Sequence, residues 1–210
     1  VMKAEKKNEK YCPPDITEVL QKIDEYQPQV IFITHVETST GIMLPEEYIQ
    51  KITQKARQYN GLVIIDAIAS GNVWLNMKEL DIDILLTAPQ KGLSAHAGCA
   101  ILLLNETARN RLPETKSASL SLDLREWMKV MEWFEGRDFA YHTTLPTDVL
   151  LFLRDSLREI VKYGINEAKE SQQEMGRTIR GGLEERGFAS VAAEGFEAPC
   201  FGRRHRAHKP

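Results

Sequence analysis

Several features that mark particular classes of protein are missing from this sequence of 210 residues. It has only three cysteines, which are scattered and show no CxxC spacing. Neither a disulfide framework nor a zinc knuckle is therefore indicated, and a reducing compartment is favoured. No apolar run approaches the ~20 residues needed to span a bilayer. The phosphate-cradling motifs GxGxxG and GxxxxGK[ST] are also absent, so the common nucleotide-binding classes are not indicated.

Neither sign of charge is in large excess. The formal net charge is −3, with 27% charged and 42% hydrophobic residues, which is typical of an ordinary globular protein. This balance argues against a general nucleic-acid or membrane-surface role. The basic stretch from Arg203 to Lys209 is interpreted as a solvated terminus, with nucleic-acid binding as a minor alternative. We expect a cytoplasmic location, with peroxisome or mitochondrion also open. The start at Val1, without an initiator methionine, leads us to expect a piece of a longer protein.

Alternating strand and helix patterns predict an α/β fold. Apolar runs at 29–34 and 62–66 flank an amphipathic helix at 45–60, which predicts two parallel neighbouring strands. Because these runs are continuous rather than alternating, the sheet should be mostly parallel and covered by helices on both faces. A third strand is predicted at 83–88. The next apolar run, 98–104, follows too closely for a crossover helix, so we expect it to be antiparallel.

Further helices are predicted where apolar residues recur with helical spacing after a capping residue. They cover residues 15–26, 105–111, 122–134, 147–163 and 166–186, with Asp15, Asn105, Thr147 and Asn166 expected as caps. In the third of these, Trp127, Met131 and Phe134 are interpreted as core anchors. The last two helices follow one another with no strand between them, which marks a change of architecture. We therefore expect a domain boundary near Thr147, between residues 1–146 and 147–210.

An acid and a lysine follow two neighbouring strands of the predicted sheet. Asp66 closes the 62–66 strand, and Lys91 comes just after the 83–88 strand. Ligands of such sheets bind outside the carboxyl ends of the strands, so both side chains are candidates for one site. The acid could form an ion pair with the lysine, or it could hold a protonated heterocyclic nitrogen beside a Schiff-base lysine, as pyridoxal phosphate chemistry requires. A solvated loop lysine and a turn-capping aspartate are the alternatives that spacing alone leaves open.

Four short stretches carry a resemblance to a known family. They are HVETSTG at His35–Gly41, DAIAS at Asp66–Ser70, Gln90-Lys91, and YHTTLP at Tyr141–Pro146. In their order and spacing the chain resembles the class V (fold type I) pyridoxal-phosphate enzymes, and within them the alanine–glyoxylate and serine–pyruvate aminotransferases. The resemblance covers roughly residues 15–195, and four motifs in register are more specific than any one of them.

The resemblance implies how the chain is organised and which residues hold the cofactor. Residues 1–146 would be the C-terminal portion of the large PLP-binding domain, and 147–210 the linker helices with the start of a small domain. Lys91 would form a Schiff base with pyridoxal 5'-phosphate (PLP), and Asp66 would pair with its pyridine nitrogen. The other cofactor-binding residues implied are Ile68 at the ring face, Thr38 near the phenolic oxygen, Gln90 by the phosphate, and Tyr141 and Thr144 at the phosphate of a neighbouring subunit. A homodimer with a shared site follows, and no metal site is implied.

The same resemblance implies a transaminase. An alanine- or serine-like amino acid would donate its amino group to an α-keto acid resembling glyoxylate or pyruvate. A truncated or non-catalytic family member is one alternative, because neither the family's phosphate-binding turn nor its carboxylate-binding arginine is evident. A cysteine desulfurase or lyase is another, disfavoured because no cysteine is clearly placed as a sulfur acceptor. The family often has Pro-Pro-Gly shortly after its lysine, whereas this chain has Ala95-His96-Ala97-Gly98, which leaves the amino donor open.

Overall fold

The computed structural model describes residues 1–200 and the backbone of 204–206. The strands are β1 (Glu5–Lys7), β2 (Lys10–Cys12), β3 (Val30–Thr34), β4 (Leu62–Asp66), β5 (Ile84–Thr87), β6 (Ile101–Leu104), β7 (Phe188–Ser190) and β8 (Arg204–Arg206). The helices are α1 (Ile16–Tyr26), α2 (Glu46–Arg57), α3 (Glu106–Arg111), α4 (Leu124–Glu135), α5 (Thr147–Tyr163) and α6 (Ile165–Glu184). The predicted role of the basic stretch from Arg203 to Lys209 concerns residues that, apart from the backbone of 204–206, lie outside the described part of the chain.

The main sheet has the strand order β3-β4-β5-β6. β3 pairs in parallel with β4, with Thr34 opposite Asp66, and β4 pairs in parallel with β5, with Asp66 opposite Leu86. β6 runs antiparallel to β5. The predicted α/β class, the two parallel pairings and the antiparallel fourth strand are thus confirmed. The carboxyl ends of β3, β4 and β5 therefore meet at one border of the sheet, which we call the carboxyl edge.

The core lies between this sheet and the helices α1 and α2. Asp15 caps α1 as predicted, because its carboxylate accepts a hydrogen bond of 2.8 Å from the amide of Thr17. The helical spacing of the apolar residues in α2 turns Ile49, Ile52 and Ala56 towards the sheet, where they are buried. The buried cluster is completed by residues of α1, the strands and the connection before β5: Ile23, Ile33, Val63, Ile65, Ala67, Leu75, Leu80, Ile82 and Leu85.

A buried carboxylate ties the opposite border of the sheet together. Asp83 has no exposed surface, and its oxygens accept hydrogen bonds from both terminal nitrogens of Arg57 at 2.9 and 2.8 Å. The amide of Val63, at 2.7 Å, and the side-chain amide of Asn105, at 2.9 Å, complete its set of donors. One residue therefore joins α2, β4, β5 and the first turn of α3.

The prediction of core anchors in α4 is wrong for two of the three residues. Met131 and Phe134 are 44% and 47% exposed, and Val130 is the buried residue of this helix. Trp127 is half-buried, and its Nε1 donates to the carbonyl of Ser121 at 2.8 Å. The amphipathic pattern was read correctly as a helix, but within the described residues nothing covers the outer apolar face.

The two last helices also begin differently from the prediction. Pro146 is the N-cap of α5, and Gly164, with φ of 110°, ends α5 and opens α6, so Asn166 lies inside α6 rather than capping it. After α6 the chain returns across the carboxyl edge. The amide of Met43 donates to the carbonyl of Phe196, and the amide of Ala198 donates to the carbonyl of Gly41. Among the described residues, no helix combines the length and the apolarity that crossing a membrane requires.

Candidate active site

The turn that follows β4 presents Asp66 at the carboxyl edge. Asp66 is half-buried, and its Oδ1 accepts a hydrogen bond of 3.0 Å from the amide of Ile68. Within the described part of the chain, nothing hydrogen-bonds or ion-pairs with its Oδ2. One carboxylate oxygen is therefore used to shape the turn, and the other remains open to a donor. We refer to residues 66–70 as the aspartate turn.

His35, the residue that directly follows β3, contacts both ends of the aspartate turn. The amide of His35 donates to the carbonyl of Asp66 at 2.7 Å. The Oγ of Ser70 lies 2.8 Å from His35 Nδ1 and also donates to the His35 carbonyl. His35 and Ser70 are each only 1% exposed. The sequence analysis did not identify this pair, because the two residues are 35 positions apart and the sequence around each of them does not indicate a contact.

Burial is the main influence on the His35 imidazole. It lowers the pKa of His35 to about 4, although a backbone hydrogen bond at Leu44 acts in the opposite direction. Among the charged groups around it, Glu46 raises this pKa and Lys169 lowers it. His35 is therefore neutral at physiological pH.

The loop after β5 presents Lys91 at the same edge. Its turn is closed by the amide of Ser94, which donates to the carbonyl of Lys91, and by the amide of Ala95, which donates to the carbonyl of Pro89, both at 3.0 Å. The Oγ of Ser156 in α5 donates to the carbonyl of Leu93. Lys91 is exposed, and its Nζ makes no hydrogen bond or ion pair with any described residue. The ion pair between Asp66 and Lys91, one of the two arrangements that the sequence left open, is thus not formed.

The two loops touch at a pair of glycines. A Cβ added to Gly92 would overlap the carbonyl oxygen of Gly71 and would lie 2.9 Å from its Cα. Gly71 itself has a φ of +63°, which an L side chain rarely adopts. This close backbone approach brings the segment next to Lys91 against the segment that follows the aspartate turn. The sequence prediction that Asp66 and Lys91 face one site is consistent with this contact.

Thr38 lies in a third loop at the carboxyl edge, after β3. The carboxylate of Glu37 accepts hydrogen bonds from the amides of Ser39 at 3.0 Å and Thr40 at 2.9 Å, and from both their hydroxyls at 2.5 Å. Burial acts to raise the pKa of Glu37, but these hydrogen bonds outweigh it and lower the pKa. The turn is therefore closed by Glu37, while Thr38 is exposed.

Tyr141 and Thr144 are not joined to these loops. The Tyr141 hydroxyl lies 3.1 Å from Thr144 Oγ1, and both residues are exposed. No hydrogen bond, ion pair or ring contact among the described residues links either of them to Asp66 or Lys91. Gln90 is exposed beside Lys91, and Ile68 is half-buried within the aspartate turn.

Cys200 contacts the aspartate turn from the far end of the chain. Its Sγ donates to the carbonyl of Ala69 at 3.0 Å, and burial raises its pKa to about 11. The side chain of Gln172 in α6 lies close by and donates to the carbonyl of Pro199 at 3.3 Å. No local pattern indicates this contact, because it joins residues that are 131 positions apart.

The side chains at the carboxyl edge fit a PLP molecule. PLP presents an aldehyde, which a free lysine amine can capture, and a pyridine nitrogen, which binds a carboxylate when it is protonated. Lys91 Nζ and Asp66 Oδ2 are groups of these two types, and both are open on one edge of the sheet. Among the described residues there is no group of three or more His, Cys, Asp or Glu side chains that could hold a metal ion.

Comparison with known proteins gives consistent matches. The sequence profile of the family "Aminotransferase class-V" matches residues 5–197. The alanine–glyoxylate aminotransferase of Callithrix jacchus is 29% identical over 176 residues, covering 82% of this chain and 42% of the relative. The crystal structure of alanine–glyoxylate aminotransferase from Nostoc sp. has a TM-score of 0.77 at 23% identity and covers 87% of this chain and 48% of its own.

A second solved structure shows the same fold. The ureidoglycine–glyoxylate aminotransferase of Bacillus subtilis has a TM-score of 0.74 at 23% identity, and the match covers 88% of this chain and 47% of that one. The chain therefore spans slightly less than half the length of these relatives.

We predict that Gly92→Ala separates the two loops and destabilises the protein. The added methyl group meets backbone rather than a flexible side chain, so we expect a loss of about 1–3 kcal/mol in the free energy of unfolding, measured with urea. Gly181→Ala is the matched control, because a Cβ there has nothing within 4 Å and alanine favours a helix. Equal stability of Gly92→Ala and the unchanged chain would contradict the proposed contact.

We also predict an acid-dependent loss of stability from His35. The folded pKa of about 4 lies below the ordinary value of 6.5, so the unfolded chain binds more protons between these two pH values. This contribution is constant above pH ~6.5 and falls by about 3 kcal/mol as the pH drops towards 4. Urea unfolding across this range should show a shallower fall for His35→Asn; identical pH profiles would refute the assignment.

Proposed function

The chain belongs to the class V aminotransferase family, and from this premise we propose that it is part of a PLP-dependent transaminase. The proposed reaction transfers an amino group from an alanine- or serine-like amino acid to an α-keto acid of the glyoxylate or pyruvate type. The names of the alanine–glyoxylate and ureidoglycine–glyoxylate relatives support glyoxylate as an acceptor.

One observation carries the proposal: an unpaired acid and an unpaired amine lie on two loops that touch. Gly71 and Gly92 hold these loops in contact, while Asp66 Oδ2 and Lys91 Nζ have no partner among the described residues. The close backbone approach of the two glycines, rather than either side chain alone, supports one shared site.

Each residue has a separate role in the proposed reaction. When bound, PLP supplies an electron sink for the amino acid that reacts on it. Asp66 holds a proton at the ring nitrogen through its open oxygen. Lys91 would hold the cofactor through Nζ and, once the incoming amino group has displaced that amine, would move the proton taken from the amino acid's α-carbon. By the family resemblance, Ile68 would pack on the ring face, Thr38 would donate near the phenolic oxygen, and Gln90 would lie by the phosphate.

A second candidate is a family member that binds PLP without turnover. The observation favouring it is exposure: Lys91, Gln90 and Tyr141 are all open to solvent in this chain, whereas catalysis of this kind benefits from a site that excludes water. We therefore expect weak PLP binding and little turnover by the chain of 210 residues alone.

A cysteine desulfurase is less well supported. Such an enzyme needs a cysteine that reacts as a thiolate, but burial raises the pKa of Cys200 to about 11 and its thiol donates to Ala69. All three cysteines are free, which supports our proposal of a reducing location such as the cytoplasm.

The direct test is the visible absorbance of PLP bound through a lysine. We expect the chain to develop this band when PLP is added, and we expect Lys91→Ala to abolish it because Nζ is the amine proposed to bind the aldehyde. Lys78→Ala, which removes another exposed lysine, should keep the band. A band that survives in Lys91→Ala would exclude the proposed site, and measurable alanine–glyoxylate transamination would exclude the candidate without turnover.

We further propose that the chain forms a homodimer through the surface around α4. This surface carries large exposed apolar residues: Leu120, Leu122, Met131, Trp133, Phe134, Phe139 and Tyr141. Exposed apolar patches of this kind mark interaction sites. A second copy is the proposed occupant, because Tyr141 and Thr144, which lie within this surface, would then reach the partner's cofactor phosphate.

The dimer predicts a concentration-dependent mass in sedimentation equilibrium. We expect Phe139→Glu to shift the chain towards monomer, because it puts a charge in the interface. Tyr26→Glu is the matched control, since Tyr26 is 68% exposed, compared with 70% for Phe139, and lies on α1. If both variants and the unchanged chain sediment as monomers at all concentrations, the dimer is excluded.

A further inference from the structure

His35 and Ser70 form a buried polar contact at the carboxyl edge that has no part in the proposed reaction. Through its amide, carbonyl and imidazole, His35 contacts the first and last residues of the aspartate turn. Both side chains are almost fully buried, so water does not compete for these hydrogen bonds and their loss would leave polar groups unpaired.

We propose that His35 and Ser70 are a positioning pair, which fixes the aspartate turn so that Asp66 meets the ring nitrogen of PLP. The proposal rests on the proposed function and deepens it. Neither residue would touch the reacting atoms. Their effect would reach the cofactor through Asp66, whose carboxylate is held in the turn by the amide of Ile68 at 3.0 Å.

The geometry favours this role over a purely structural one. Inside the turn, the Ile68 amide donates to Asp66 Oδ1 and the Ser70 amide donates to the Ala67 carbonyl at 3.2 Å. From outside, the Ala67 amide donates to the Leu86 carbonyl at 2.8 Å, which holds the start of the turn but not its end. A carboxylate that must meet one ring atom gains from being fixed before the ligand arrives. His35, which directly follows β3, contacts both ends of the turn and supplies that constraint.

The neutral imidazole makes the pair suitable for this task. Burial keeps His35 uncharged at physiological pH, so it adds no positive charge that would compete with the ring nitrogen for Asp66. The charged groups that influence it most, Glu46 and Lys169, act in opposite directions and form an ion pair of 2.9 Å with each other.

The test uses the chain without PLP first. Hydrogen exchange of the Ile68 amide, followed by NMR, reports whether the Asp66 carboxylate is held in place. We expect Ser70→Ala and His35→Leu to lower its protection at least tenfold, and His35→Asn to restore most of it, because Asn places a polar atom near the position of Nδ1. The Val63 amide, which donates to Asp83 at the far border of the sheet, should keep its protection.

A matched control separates this effect from the loss of any buried hydroxyl. Thr53 has no exposed surface, and its hydroxyl donates to the carbonyl of Gln50 at 2.9 Å within α2. Thr53→Val removes that hydroxyl and should leave the exchange of Ile68 unchanged. A fall in Ile68 protection as large as that in Ser70→Ala would overturn the proposal.

PLP binding is the second readout. We expect Ser70→Ala and His35→Leu to raise the dissociation constant of PLP at least fivefold, as Asp66→Asn should, and His35→Asn to raise it less. If Ser70→Ala and His35→Leu lose protection of the Ile68 amide but bind PLP with unchanged affinity, the positioning role is overturned. It is also overturned if these variants keep the protection of the Ile68 amide. If the unchanged chain gives no PLP band, the proposed function fails, and the exchange results still decide whether the pair fixes the turn.

Discussion

The Asp83 carboxylate lies in the interior of the protein, where an unpaired charge would cost several kcal/mol. Arg57, the amide of Val63 and Asn105 surround it with donors. Because Val63 belongs to β4 and Asp83 immediately precedes β5, this cluster fixes one strand relative to the next. A slip of one residue would turn every side chain of β4 to the other face. The position of Asp66 opposite Leu86, and hence the carboxyl edge, depends on this pairing at the other border.

The main sheet was the part of the fold that the sequence predicted best. β3, β4 and β5 are continuous apolar runs, and the short connection before β6 left room only for an antiparallel strand. The paired strands β1 and β2, and β7 and β8, were missed because three residues are too few to show a periodic pattern. In α4, the amphipathic pattern identified an apolar face correctly, but a pattern does not indicate whether another element covers that face.

The candidate site also has a part that could be predicted from the sequence and a part that could not. Asp66 and Lys91 could be predicted because the ends of parallel strands are recognisable from local sequence, and the resemblance added Thr38, Ile68, Gln90, Tyr141 and Thr144, whose roles stay predictions. His35 with Ser70, and Cys200 with Ala69, join residues 35 and 131 positions apart. Such contacts depend on how loops pack at the carboxyl edge. No local spacing encodes that packing, so physical reasoning on a single sequence does not find them.

Among the described residues, the aspartate turn is held by more contacts than the Lys91 side chain. The proposed chemistry gives a reason for this difference. The aspartate turn is held by His35, Ser70 and Cys200, whereas the Lys91 side chain has no partner among the described residues. A carboxylate that keeps a proton on one ring atom works best when it is fixed, since any displacement weakens the hydrogen bond. An amine that binds the cofactor and later carries a proton must change position during the reaction. Gly71 and Gly92 join the two halves through backbone contact, which sets their separation without restricting the lysine side chain.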